Sequence, residues 1–252
     1  MEPVSEMSGS RAATNRLLAE LREGDAAPAA VVRFLAHAAR RSLVQAARRP
    51  RALAELTALH GVLYALAGGR RPGRGWVTAG WVLAASHLGL LEQQTRLSAA
   101  DLLTLTRAGL PALPGGACRA GGLVAIGLDV ADGRLARRQG TVSPFGQYAD
   151  TFADAAFWTW LTLRHEPSRT ARAAAIAAWL LPVATVTAAA FRTGRMPDAP
   201  RPVLLRPAAA LQAVIAIRHL TRPGEGQAQP AAGGCGAWPR LPKVLTGGRR
   251  AR

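Results

Sequence analysis

Seven apolar stretches run along the chain, over residues 52–68, 76–91, 101–113, 118–133, 145–163, 173–191 and 203–220, with arginine, glycine and proline gathered in the breaks between them. Hydrophobic residues make up 49% of the chain and aromatic ones only 5%, so these stretches are rich in alanine and leucine, both strong helix formers. The pattern predicts an all-α fold. Ala173 to Phe191 is the strongest stretch, uncharged throughout and closed by Arg172 and Arg192. Pro182 in its middle predicts a kink, which membrane helices tolerate. Several others fall short of the roughly 20 apolar residues that cross a bilayer, so their length alone does not place them.

The flanks differ from this middle. Residues 1–51 carry charge throughout and hold no continuous apolar core, so no cleavable signal is read there and insertion would rest on internal helices. From Ala29 to Arg49, Val31, Val32, Phe34, Leu35, Leu43 and Val44 stand against Arg33, Arg40, Arg41, Arg48 and Arg49. That basic amphipathic pattern suits either a membrane surface or packing on the chain's own domain. Residues 221–252 mix proline, glycine and alanine with Arg222, Arg240, Lys243, Arg249, Arg250 and Arg252, and read as a flexible basic tail. The expected division is a cytosolic extension at 1–51, additional N-terminal membrane helices at 52–98, a membrane core at 99–220 and the tail at 221–252.

Charge narrows the partners. Thirty-two basic residues against 15 acidic give a formal net charge of +17. Nucleic acid is not expected, because the basic residues punctuate apolar helices instead of forming one stripe interleaved with aromatics. An anionic lipid surface fits better, since arginine at a membrane border gains energy near acidic headgroups. Cys118 and Cys235 have neither metal-ligand spacing nor the density of a disulfide framework, and are read as reduced. His37, His60, His87, His165 and His219 are scattered without a paired helical spacing, which argues against zinc.

Four of the 15 acidic residues fall between Asp129 and Asp154. Residues three or four apart share a helix face, so Asp129, Asp132, Gly133, Ala136 and Arg137 form one stripe, and Gly146, Asp150 and Asp154 form another. Acids at helical spacing usually make a solvated face. Here they are flanked by Leu123 to Ile126 on one side and by Phe152, Phe157, Trp158, Trp160 and Leu161 on the other, where a carboxylate is costly without a function. Two such helices meeting would gather four carboxylates, a donor set for a hard cation such as Mg²⁺ or Mn²⁺. The small residues leave room for a bulky phosphate, and Arg137 offers a fork that grips its oxygens.

The run Asp129, Asp132-Gly133, Ala136-Arg137, Gly146, Asp150, Asp154 resembles the pattern D-x2-D-G-x2-A-R-x8-G-x3-D-x3-D of the CDP-alcohol phosphatidyltransferase family at every defined position. Leu102 to Arg107 looks like the start of that family's first core helix. The resemblance covers roughly residues 100–220. It implies a polytopic integral-membrane helix bundle with six or seven crossings, in the cell membrane, with its site facing the cytoplasm. The activity implied is transfer of a substituted phosphate, chiefly phosphatidyl, from a CDP-alcohol such as CDP-diacylglycerol to an acceptor hydroxyl, releasing CMP in phospholipid biosynthesis. By the same resemblance Asp129, Asp132 and Asp150 hold Mg²⁺ or Mn²⁺, and Asp154 is a further ligand or the general base. Gly133, Ala136, Arg137 and Gly146 would cradle the cytidine diphosphate. The expected partners are a CDP-linked lipid donor, a small alcohol acceptor and membrane lipids, and a homodimer is left open.

Two other classes compete: a non-catalytic membrane protein of this fold that binds lipid or nucleotide, and a small transporter using buried acids as ion sites. Only 24 residues separate Thr104 from Asp129, with Pro111, Pro114, Gly115 and Gly116 among them, so the first core hairpin is expected to be short or re-entrant. Asp154 is followed by Ala155 and Ala156, which leaves the acceptor unassigned.

Overall fold

The computed structural model describes residues 9–25, 27–114, 118, 120–195 and 202–221. Among them there are helices and their connections and no strand. In chain order the α-helices are α1 (Gly9–Glu23), α2 (Pro28–Ala47), α3 (Pro50–Leu66), α4 (Arg71–Ser86), α5 (Ala99–Gly109), α6 (Gly121–Gln139), α7 (Pro144–His165), α8 (Arg169–Thr193) and α9 (Pro202–Thr221). Proline opens α2, α3 and α7, where its missing N–H costs nothing. Ser98, Ser143 and Ser168 cap α5, α7 and α8 by accepting from the backbone N–H of Asp101, Gly146 and Ala171. α6 stops at Gly140, whose φ of +61° is a left-handed conformation that glycine adopts without strain.

Each of the seven apolar stretches coincides with a helix, but the expected six or seven crossings do not follow. Among the described residues, α8 alone is long and apolar enough to cross a bilayer. α5 has 11 residues and ends in a 3₁₀ turn, Leu110–Ala112, that contains Pro111. At about 1.5 Å per residue it rises about 16 Å, half of a hydrocarbon core. The stretch 76–91 is likewise broken at His87, where α4 gives way to a 3₁₀ turn at Leu88–Leu91. The first core hairpin is short, as expected. The tail beyond Thr221, including Cys235, lies outside the described residues.

α5 is the hub, packed between α6 and α7 and touching α3 and α4. It runs parallel to α7: Asp101 sits beside Gly146 at one end, and Leu110 joins Phe157, Trp158 and Leu161 in the core at the other. α4 lies antiparallel to α5, with Trp76 Nε1 donating to the Ala108 carbonyl at 2.8 Å. Leu56, Leu88, Leu91, Leu105 and Phe145 form the second core between α3, α4, α5 and α7. The α1–α2 hairpin lies at the end of the bundle where α7 begins. Its Arg22 reaches the Thr193 carbonyl at the end of α8 (3.4 Å), and Arg49 reaches the Glu92 carbonyl just after the Leu88–Leu91 turn (3.0 Å).

Candidate functional site

α6 and α7 bring Asp129, Asp132, Asp150 and Asp154 together, and what they converge on is a side chain of α5. Arg107 is fully buried and pairs through Nη1 with Asp129 and through Nη2 with Asp150. Asp154 Oδ1 lies 3.3 Å from Nη2, and Asp132 Oδ2 lies 3.9 Å from Nη1. Four carboxylates and one guanidinium leave a formal charge of −3 around this point, an excess that favours further cations strongly where water is scarce.

Asp129, Asp132 and Asp150 each present an oxygen within 4.8 Å of the others, a separation that one divalent cation can bridge. Asp154 stands outside that triad, on the Asp150 side of the guanidinium. Asp132 is buried and accepts from Thr104 Oγ1 at 2.6 Å, which fixes its orientation from α5. Asp129 and Asp150 are about half exposed, so the cluster faces an opening and is not sealed in the core.

That opening is a cleft of about 160 Å³ lined by Asp101, Thr104, Asp132, Gly133, Ala136, Arg137, Ser143, Gly146 and Asp150, among others. The four positions expected to cradle a nucleotide, Gly133, Ala136, Arg137 and Gly146, thus share one wall system with Asp132 and Asp150 of the cluster. Gly146 is small for a further reason. A Cβ there would lie 2.9 Å from Asp101 Oδ1, and Asp101 is buried in a reciprocal cap with Ser98. The Asp101 carboxylate accepts from Ser98 N at 2.8 Å while Ser98 Oγ accepts from Asp101 N at 3.1 Å, the capping-box arrangement.

Sequence reasoning missed Arg107, Thr104 and Asp101 as site residues. Their signal is a polar stripe at spacings of three, Asp101, Thr104 and Arg107, in a largely apolar helix.

A second hollow, about 220 Å³ and mostly apolar, lies across α7 from the carboxylates. Its lining includes His60, Trp76, Gly80, Phe145, Phe152 and Ala156. Ala149 and Ala153 form part of its wall, each one residue before an aspartate of the cluster. Along α7 it extends from Phe145 to Ala156, which is about 16 Å of helix rise. Two histidines pack at this hollow: His87 stacks on Tyr148 with ring centres 4.1 Å apart, and His60 Nδ1 meets the Leu56 carbonyl at 2.9 Å.

Comparison with known proteins agrees with the resemblance read from Asp129 to Asp154. Residues 119–232 match the family model described as CDP-alcohol phosphatidyltransferase. The match covers α6 to α9 and supports transfer of a phosphatidyl-type group from a CDP-alcohol. No curated protein and no solved structure matches the chain.

Proposed function

Taking that match as premise, we propose that this chain is a divalent-cation-dependent membrane enzyme that transfers a phosphatidyl group from a CDP-linked lipid to the hydroxyl of an acceptor alcohol, releasing CMP. The observation that carries the reading is the meeting of four aspartates from two helices around Arg107, two of which, Asp132 and Asp150, line a cleft walled by Gly133, Ala136, Arg137 and Gly146. An ion-transport site would need the acids but would have no use for a phosphate-gripping wall.

In this reading the acceptor oxygen forms a bond to the phosphorus that carries the lipid alcohol. The bond from that phosphorus to the CMP oxygen breaks, and the acceptor proton passes to a carboxylate. Asp154 is the base: it is outside the triad, so its oxygen remains available, and Arg107 holds it in orientation at 3.3 Å. Asp129, Asp132 and Asp150 would hold Mg²⁺ or Mn²⁺, and their all-oxygen donor set within 4.8 Å fits such an ion. When bound, the ion supplies charge neutralisation for the diphosphate and the departing CMP. Arg137, exposed on the wall of the cleft, grips the phosphate oxygens, and the small residues at 133, 136 and 146 let the nucleotide approach the helices. Arg107 is a positioning residue, since its Nη1 and Nη2 are both turned to the carboxylates.

Membrane placement and a lipid donor rest on two supports. Large apolar side chains stand exposed on several helices, including Val62, Val82, Leu123, Val124, Leu181 and Ile217. So broad an apolar surface suits lipid better than water. The 220 Å³ hollow beside the site exceeds the ~150 Å³ of an apolar cavity that holds a benzene ring, and its length suits a hydrocarbon chain. On this reading the site faces the cytoplasm, where the nucleotide-linked donor is made.

CMP release by the detergent-solubilised protein tests the proposal, with CDP-diacylglycerol, Mg²⁺ or Mn²⁺ and a panel of alcohols, beside Asp154→Asn. Release that needs the metal and vanishes in the variant supports it. Full release in Asp154→Asn removes the assigned base, and silence with every acceptor and donor favours a binding protein.

A further inference from the structure

The family match leaves α1 and α2 without a role, and α2 has a face that its own domain does not cover. One side of α2 packs inward through Ala30 against its neighbours. Val32, Leu35, Ala39 and Leu43 recur at spacings of three and four and so lie on one outward stripe. Val32 is 65% exposed, Leu35 58% and Leu43 71%, values that leave the stripe nearly bare. Beside it lie the exposed Arg33, Arg40 and Arg48, and α2 contains no acidic residue. An ion pair joins His37 of this helix to Glu20 of α1 at 3.3 Å and ties the two helices together.

The position of the hairpin matters as much as its chemistry. Arg22 is anchored to the end of α8 and Arg49 to the segment after α4, and Gly89 of the Leu88–Leu91 turn packs on Gln45. That turn also packs on α7. The hairpin is therefore fixed at the level where α7 starts and where the aspartate cleft opens.

We infer that α2 is a docking surface for an anionic lipid bilayer, with its Val32–Leu43 stripe sunk among the acyl chains and Arg33, Arg40 and Arg48 on acidic headgroups. Charge complementarity selects the occupant: an apolar stripe alone would suit any greasy partner, whereas exposed arginines beside it, on a helix with no acid of its own, suit a negative surface. The inference takes membrane association from the proposed function but does not need the chemistry of the aspartates.

A fluorophore on Leu43→Cys, in the full chain with Cys118→Ser and Cys235→Ser, tests it in vesicles of phosphatidylcholine with and without phosphatidylglycerol. Brominated lipid should quench the label, and more so with the anionic lipid. Arg33→Gln, Arg40→Gln and Arg48→Gln should weaken the docking equilibrium by about fivefold each. Quenching by aqueous iodide alone, lipid quenching indifferent to headgroup charge, or a label hidden from both quenchers would each overturn the inference. Because the readout is the depth of one residue, a protein inactive in CMP release can still support it, and an active one can still refute it.

Discussion

Arg107 Nη2 stands 3.3 Å from Asp154 Oδ1, and the same fully buried guanidinium reaches the other three aspartates of the cluster. One cation from α5 thus holds α6 and α7 at a fixed separation by satisfying carboxylates on both. Removing a buried charge partner leaves the remaining charges unpaired, which costs more than the pair itself contributes. Arg107→Gln should destabilise the protein by about 3 kcal/mol, the low end of the usual range because Asp129 and Asp150 are half open to solvent. Added Mn²⁺ should return part of that loss, whereas it should change the wild type less. Thermal melts with and without Mn²⁺ decide this, and an unchanged melting temperature in the variant would show that the ion pairs contribute nothing.

In the proposed assignment the triad holds the metal and Asp154 takes the proton, two roles that the spacing alone had left merged. Asp132→Asn should weaken Mn²⁺ binding, read by paramagnetic resonance, because Asp132 supplies one of the three clustered oxygens. Asp154→Asn should leave Mn²⁺ affinity close to wild type while lowering turnover by about 10²–10⁴, the usual contribution of a general base. Equal losses of affinity in both variants would make Asp154 a ligand.

Gly146→Ala places a methyl 2.9 Å from Asp101 Oδ1, so the carboxylate must leave its place in the Ser98 cap. The expected cost is about 1 kcal/mol, the worth of an N-cap, together with a distorted cleft. If the clash is the cause, Asp101→Ala and Gly146→Ala should be strongly non-additive, since the second change costs little once the carboxylate is gone. Additive melting temperatures would move the role of Gly146 wholly to ligand approach.

What could be read in the chain follows from how local each cause is. The convergence of Asp129, Asp132, Asp150 and Asp154 was legible because helical spacing fixes which side chains share a face. The shortness of the hairpin after α5 was legible as a backbone effect of single residues, Pro111 among them. Arg107 was not, because its partners lie 22 and 43 residues away and only the packing of α5 between α6 and α7 joins them. The second reason for Gly146 was hidden likewise, since Asp101 comes from another helix. Apolar length gave the helices but not the crossings, because breaks at His87 and Pro111 shorten α4 and α5 below bilayer thickness.

The apolar hollow offers a test of the donor's lipid character that leaves the aspartates untouched. Gly80 lines it on α4, and a Cβ there would meet nothing closer than His60 Nε2 at 3.5 Å, an ordinary contact. Gly80→Leu should therefore fold, and replacing a mid-helix glycine should even favour α4 by up to about 0.8 kcal/mol. Its side chain would occupy part of the space. If a donor hydrocarbon chain lies there, the variant should lose rate with long-chain CDP-diacylglycerol and keep it with a short-chain donor, so that the ratio of the two kcat/KM values falls. Mn²⁺ affinity should stay unchanged, because the hollow and the carboxylates lie on different sides of α7. A loss that is equal for both donors would mean that the hollow supports the packing of α7 and does not take the chain.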